Sequence, residues 1–433
     1  MGIKTTKQGN KHIANEKIRS LRASQHFPHI KRLLVMSSLM SLLITGCWDN
    51  HELESLAFVT VIGIDEGKHD NLKITYQYFT PSTESPKATG SHSPLITTFE
   101  APSFGVAENI ANVTTDRMIT SQQLKVAIVS EKFGKKNDVA RVLEGMVRAR
   151  TYRRDIMLIT SIDPTDAAIR ANRSKLGSTS LDFIENMRNQ HSFTGFMPVE
   201  TLNDFLIQNN SGDTLAYTGL IAISKNLPLS RNASKEENRI AGQFSRRGGD
   251  DQIQFIGAEI YRGDRAVGRL TGQETRILLL LHHEIKTFLV GLHDPHHKER
   301  RNTLLFHQMM PPHIHAHMDK GRVHFIINVP LDATLDSTTS EINYVQDTKQ
   351  RHLLEQQFDH KYELETLKLL KRCQTEFKGD PFGLSHSLKW GFFTEQSWKR
   401  FDYVKHFNQA RFTVHYDVHI SNFGKQRAPY GSA

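Results

Sequence analysis

The stretch that decides the fold reads LKVAIVSEKFGKKNDVARVLEGMVRARTYRRDIMLITSIDPTDAAIRA, residues 124–171. It opens with a short apolar run at 124–130, the pattern of a strand buried on both faces. Between 137 and 150 the period changes. Val139, Val142, Leu143, Met146 and Val147 follow the i, i+3, i+4, i+7, i+8 spacing of a helix with one apolar face. Residues 155–160 (DIMLIT) return to strand character. Asp163-Pro164 then supplies an N-cap with proline at the first helical position, opening a helix through Ala171. Strand, helix, strand, helix in this order predicts an α/β layer.

The same reading extends outward. Residues 56–64 (LAFVTVIGI) and 73–80 (KITYQYFT) read as strands, 81–96 as a loop and 104–118 as a helix. Short helices are expected at 181–187 and 199–208, a strand at 219–224, and a polar, glycine-rich linker at 225–252. The second half opens with a strand at 253–260 and a Gly263-Asp264 hairpin turn. Thr271 and Glu274 form a capping-box pattern ahead of the apolar run 277–281. Strands follow near 304–308, 313–317 and 323–331, then one long helix over 341–377 and another over 394–406. In the last strand, 411–420, Phe412, Val414, Tyr416, Val418 and Ile420 share one face, as in an antiparallel sheet. The expected class is α+β (mixed α/β) with up to three domains, each a largely antiparallel or mixed sheet flanked by helices. The expected divisions are 1–46, a leader; 47–178, an N-terminal α/β domain; 179–252, a small middle region plus linker; and 253–433, a C-terminal α/β domain.

Charge narrows the function classes. The net charge of the 433-residue chain is +9, but residues 1–46 hold eight Lys/Arg and one acid and so supply +7 of it. A body left with only +2 argues against a nucleic-acid partner, which needs its basic surface on the folded domain. The two cysteines, Cys47 and Cys373, provide no disulfide framework.

The leader carries the address. Residues 33–44 are largely apolar and follow Lys31-Arg32. At about 12 residues the run is too short for a span, which needs roughly 20, and it fits the h-region of a secretory signal. It ends in Ile44-Thr45-Gly46-Cys47, which resembles a lipobox, with Ile44 standing where leucine is usual. Cleavage between Gly46 and Cys47 would leave Cys47 carrying a diacylglyceryl thioether and an N-acyl chain. Two or three acyl chains tether a protein stably to the bilayer surface without a span. A lipidated Cys47 leaves Cys373 unpaired, as a buried thiol in a helix, and sets Trp48 at headgroup level.

Taken together, several stretches resemble the Ger(x)C lipoproteins, the C subunits of bacterial spore germinant receptors. They are Gly46-Cys47-Trp48-Asp49 with Glu52-Leu53, Gly63-Ile64-Asp65, Ser121-x-x-Leu124-Lys125-Val126 and Arg153-Arg154-Asp155. In the second half they are Gly257-Ala258-Glu259-Ile260-Tyr261, Gly268-Arg269-Leu270 with Glu274, and Asp380-Pro381-Phe382-Gly383-Leu384. The resemblance covers nearly the whole chain after Cys47. It implies three mixed α/β domains and a non-enzymatic subunit needed for spore germination. It also implies a lipid anchor on the outer face of the spore inner membrane and a complex with A and B membrane subunits.

Other chemistry finds less support. Ten of 23 histidines lie between His282 and His324. His313, His315 and His317 project from one face of a strand, a spacing at which two imidazoles reach one zinc ion. They are the metal-site candidates, against the reading of an exposed polar strand face. No nucleophile elbow, zinc-protease, P-loop or dinucleotide motif is present, so no catalytic residue and no cofactor is assigned. Asp49, Asp65 and Asp155 sit at element ends, where capping accounts for them. The competing functions are an extracytoplasmic solute-binding lipoprotein and a histidine-rich metal-binding lipoprotein.

Overall fold

The structure is a computed structural model that describes residues 32–38, 53–69, 72–79, 94–149, 151–172, 188–224, 236–244 and 253–425. Gly46, Cys47 and the helix expected at 181–187 lie outside the described residues. Residues 1–55 and 56–433 are separate units. The second holds all three buried apolar cores, so it contains what it needs to fold without the first.

The first sheet has ten strands. They are β1 Leu56–Glu66, β2 Leu72–Phe79, β3 Leu95–Ala101, β4 Met118–Thr120, β5 Val126–Ser130, β6 Met157–Ser161, β7 Glu200–Thr201, β8 Ala216–Ile223, β9 Ile253–Arg262 and β10 Arg265–Leu270. Their order is β10-β9-β8-β6-β5-β1-β2-β3, with β4 on β1 and β7 on β6. The central four, β1, β5, β6 and β8, run parallel, within the α/β layer that the strand-helix alternation of residues 124–171 predicts. Antiparallel strands extend both edges. One face packs under helices Phe104–Asn112, Val139–Arg148 and Leu202–Ser211, the other under Thr165–Ala171. Of the predicted apolar face, Val139, Leu143 and Met146 are buried and Val142 and Val147 pack at its margin.

Helix Thr165–Ala171 lies so close to β1 that a Cβ on Gly63 would sit 2.3 Å from Thr165 Oγ1. Asp65, two residues on, accepts the Thr165 N–H at 3.0 Å and its hydroxyl, satisfying an orphan donor of the helix start. The N-cap role expected of Asp163 is therefore filled from β1. Asp163 instead accepts the Ile223 N–H at 2.7 Å.

The second sheet contains β11 Thr287–His293, β12 Arg301–His307, β13 His313–Asp319, β14 Arg322–Thr338 and β15 Arg411–Asn422. The first half of β14 pairs with β13, the second half with β12, and β15 lies along its opposite side. Residues 301–338 are thus one long hairpin, broken on its first arm at Pro311-Pro312. Contrary to the antiparallel reading of its alternation, β15 runs parallel to β14. The helices between them return the chain to the same end of the sheet, as a parallel crossover requires. The long helix is Thr348–Arg372, continued by a π turn Cys373–Phe377. It lays Leu354, Phe358, Tyr362, Thr366, Leu369 and Leu370 on the sheet, while Leu353, Leu364 and Leu367 are exposed. Helices Glu395–Phe401 and Tyr403–Asn408 replace the single helix expected over 394–406, because Asp402 adopts φ 48° between them. No helix among the described residues is long and apolar enough to cross a membrane.

Two expected boundaries look different in three dimensions. β9 and β10, at the head of the segment 253–433, pair into the first sheet, because β9 hydrogen-bonds along β8. Within the expected linker, residues 236–244 are packed. The Gln254 side chain bonds the Gly242 N–H at 2.8 Å and the Phe244 carbonyl at 2.6 Å, and Ala241 is fully buried.

Helix Gly272–Leu281 joins the two sheets. Its expected capping box forms, with Thr271 Oγ1 accepting the Glu274 N–H at 3.3 Å and Glu274 accepting the Thr271 N–H at 2.9 Å. Every residue but Glu274 is buried, the polar Gln273 and Thr275 included. The one buried charge among them is Arg276, 1 % exposed. Its guanidinium stacks on Phe196 at 4.4 Å and Phe288 at 5.2 Å. It donates to the Thr194 carbonyl at 3.3 Å and lies 3.7 Å from the Glu237 carboxylate. Arg276→Ala removes a buried cation with its ring stacking, leaves Glu237 to Lys361 alone and opens a cavity. It is expected to cost about 3–5 kcal/mol in urea unfolding.

Candidate functional site

The sequence-predicted metal candidates come first. His313, His315 and His317 are exposed on one face of β13, opposite Asn328, Ile326 and His324. The His317 and His324 rings lie 5.1 Å apart, and His324 Nε2 bonds Thr413 Oγ1 at 2.8 Å. Among the described residues no three His, Cys, Asp or Glu side chains converge as a metal site. The three histidines form a wet strand face. Cys373 is a buried free thiol, held protonated by burial.

The structure assembles a different cluster, which no sequence motif announces. A cavity of about 310 Å³ is lined by Glu200, Asp204, Gln208, Tyr217, His282 and Glu284, with Val199 and Ile207. Pairing of β7 with β6 fixes Glu200, and the Thr201 capping box fixes Asp204, whose carboxylate takes the Thr201 N–H at 3.2 Å and hydroxyl at 2.6 Å. Gln208, two turns along the same helix, donates to Glu200 at 3.1 Å. Tyr217 projects from β8, fully buried. His282 caps the end of helix Gly272–Leu281 and donates from Nε2 to the Pro381 carbonyl at 2.9 Å. Residues more than eighty positions apart in sequence thus share one wall. The His282-His283-Glu284 cluster was the only visible signal, and it gives no hint of Glu200.

Electrostatics here favour protons over charge. Burial, then the neighbouring Glu284 and Asp204, push Glu200 up to about 8, against the hydrogen bonds from Tyr217 and Gln208. Burial and Asp204 push Glu284 up to about 7. Burial also lowers His282. Burial thus favours protonated carboxyls and a neutral imidazole along one wall of the cavity.

The motif residues of the sequence reading turn out to be structural. Gly257 has φ +100°, and a Cβ there would lie 2.6 Å from the Leu270 carbonyl. Arg269 donates to Glu131 from Nε at 2.8 Å, bridging β10 to the helix after β5, and stands 3.8 Å from the fully buried Glu259. Ser121 and Tyr152 both donate to Glu108, the latter at 2.6 Å. Arg153 forms an exposed pair with Asp155. Asp380, fully buried, accepts the Phe382 N–H at 2.8 Å and the Tyr403 hydroxyl at 2.7 Å, while its own carbonyl accepts the Leu215 N–H at 2.8 Å.

The sign of the pH dependence follows from the cavity acids. The folded chain binds their protons more tightly than the unfolded chain, so the stability these two acids contribute is fully present below the ordinary carboxylate range. It is lost as pH rises toward 8. Glu200→Gln is expected to flatten this loss: thermal unfolding followed from pH 5 to pH 8 should show a smaller fall in Tm than the native chain.

Comparison with known proteins matches this chain twice. Residues 49–223 match the family model described as spore germination protein N-terminal domain, and residues 256–424 the one described as spore germination B3/GerAC like, C-terminal. Spore germination protein B3 of Bacillus subtilis (strain 168) is 26% identical over 81% of this chain and 86% of its own length. Spore germination protein YndF of the same organism is 21% identical over 90% of this chain and 96% of its own. The crystal structure of the GerBC protein superposes with a TM-score of 0.50 at 18% identity, covering 82% of this chain and 96% of that one. That likeness supports the mixed α+β fold. With both halves matched in order and a shared fold, the chain belongs to the GerAC-like, Ger(x)C family of spore germination proteins.

Proposed function

We propose that this chain is a lipid-anchored, non-catalytic subunit of a nutrient germinant receptor. It is held on the outer face of the spore inner membrane and acts with membrane-spanning A and B subunits. The observation that carries the reading is positional. The N-terminal family match begins at residue 49, directly after Gly46-Cys47-Trp48, so the family domain starts where the lipobox ends. Acyl chains on Cys47 replace a membrane span, and no described helix is suited to be one. Family motif residues such as Gly63, Asp65, Gly257 and Asp380 hold elements together, as expected of a scaffold that works by contact.

The cavity is also the observation that would favour a solute-binding lipoprotein. Titration of the body with amino acids and sugars separates the two, since tight binding there belongs to the rival reading. For the anchor, Cys47→Ala is expected to move the protein out of the spore membrane fraction. Spores carrying it should lose the germination response to nutrient. A Cys47→Ala protein that stays membrane-bound and supports germination would refute the anchor.

A further inference from the structure

Two of the largest apolar side chains in the protein cover nothing. Trp390 is 93 % and Phe393 104 % exposed, both in the turn between helices His386–Lys389 and Glu395–Phe401. The turn is not loosely held. Phe392, between them, points inward and packs on Trp398 at 5.1 Å and Phe401 at 5.0 Å. Trp398 is buried and donates from Nε1 to Asp213 at 2.8 Å. Thr394 caps the following helix, with its hydroxyl accepting the Ser397 N–H at 3.1 Å. A rigid base therefore presents two aromatic rings at the tip of a convex turn.

The charge around the tip selects its partner. Lys389, Lys399 and Arg400 are exposed on these two helices and Lys405 on the next, Tyr403–Asn408, against Glu395, which pairs with Lys399 at 2.9 Å, and Asp402. Lys389 reaches toward Asp213 at 3.9 Å and stands over Trp398. Tryptophan and phenylalanine at a projecting tip, ringed by basic side chains, match a bilayer surface. The rings enter the interfacial region and the cations remain among anionic headgroups. A protein partner would need a hollow to receive a convex tip, whereas a fluid bilayer needs none.

We propose that the Trp390–Phe393 turn is a membrane-docking tip that inserts its two aromatic rings into the headgroup region of an anionic bilayer. This contact is separate from the acyl chains proposed for Cys47 and orients the body against the membrane that they tether it to. Its test omits the anchor, so failure of either idea can be told from failure of the other. The chain 49–433 contains the whole compact unit and only two tryptophans, Trp390 and the buried Trp398.

The chain is mixed with vesicles of phosphatidylglycerol and phosphatidylcholine, or of phosphatidylcholine alone, with brominated acyl chains as quenchers. The expected result is co-sedimentation with the anionic vesicles, weakened by salt, with quenching of Trp390 fluorescence. The double variant Trp390→Ser/Phe393→Ser should fold with an unchanged melting curve and lose about tenfold in vesicle affinity. Equal binding by native chain and double variant, or no binding by the native chain, overturns the proposal. So does native self-association that ignores vesicles and disappears in the double variant, since that assigns the tip to a protein contact.

Discussion

One buried cation connects the two halves of this protein. Helix Gly272–Leu281 lies between the last strands of the first sheet and the core of the second, and it is wrapped on every side. A helix in that position should bury no charge, yet it carries Arg276. Burial of an unpaired guanidinium would be prohibitive, so its surroundings must answer it. They do so with Phe196 and the Thr194 carbonyl from one segment, Glu237 from another, Phe288 from β11, and the Tyr362 hydroxyl at 3.5 Å from the long helix. Each segment is fixed by satisfying the same group. Glu237 in turn binds Lys361 at 3.1 Å, and Glu274 binds Arg372 at 2.8 Å, so the seam continues along the long helix. Residues 56–433 accordingly form one compact unit.

Much of this was legible in the sequence, and the failures are physical. Local pattern alone gave the α/β layer at the centre of the first sheet, since residues 124–171 pass from an apolar strand run to helical period and back. The capping box at Thr271 and the hairpin at Gly263-Asp264 were equally local, and both formed. What was lost depended on distant partners. The β9–β10 hairpin joined the first sheet because of its pairing with β8, which no local pattern encodes. β15 alternates as an antiparallel strand does, but its direction is set by the crossover before it. Helix Thr165–Ala171 is capped by Asp65, a hundred residues upstream, and not by the adjacent Asp163. The acidic cavity was invisible for the same reason, being made of Glu200 and Glu284 from different elements.

The family motifs acquire a common meaning. Gly63 admits a helix, Asp65 caps it, Gly257 lets β9 pass beneath the Leu270 carbonyl, and Asp380 gathers the chain around Tyr403 and Leu215. None of them lines the cavity. A protein whose motif residues secure its own architecture is suited to relay contact. On the proposed reading, signal enters and leaves through surfaces, with Cys47 setting distance from the bilayer and the Trp390–Phe393 tip setting orientation.

The central claim is that this architecture begins at a lipidated Cys47. It is tested most directly by mass spectrometry of the protein extracted from spore membranes. The account predicts a mature N-terminal peptide that starts at Cys47 and carries a diacylglyceryl thioether and an acylated amine, with nothing from residues 1–46. A peptide that reads through Gly46-Cys47 with an unmodified thiol would contradict it.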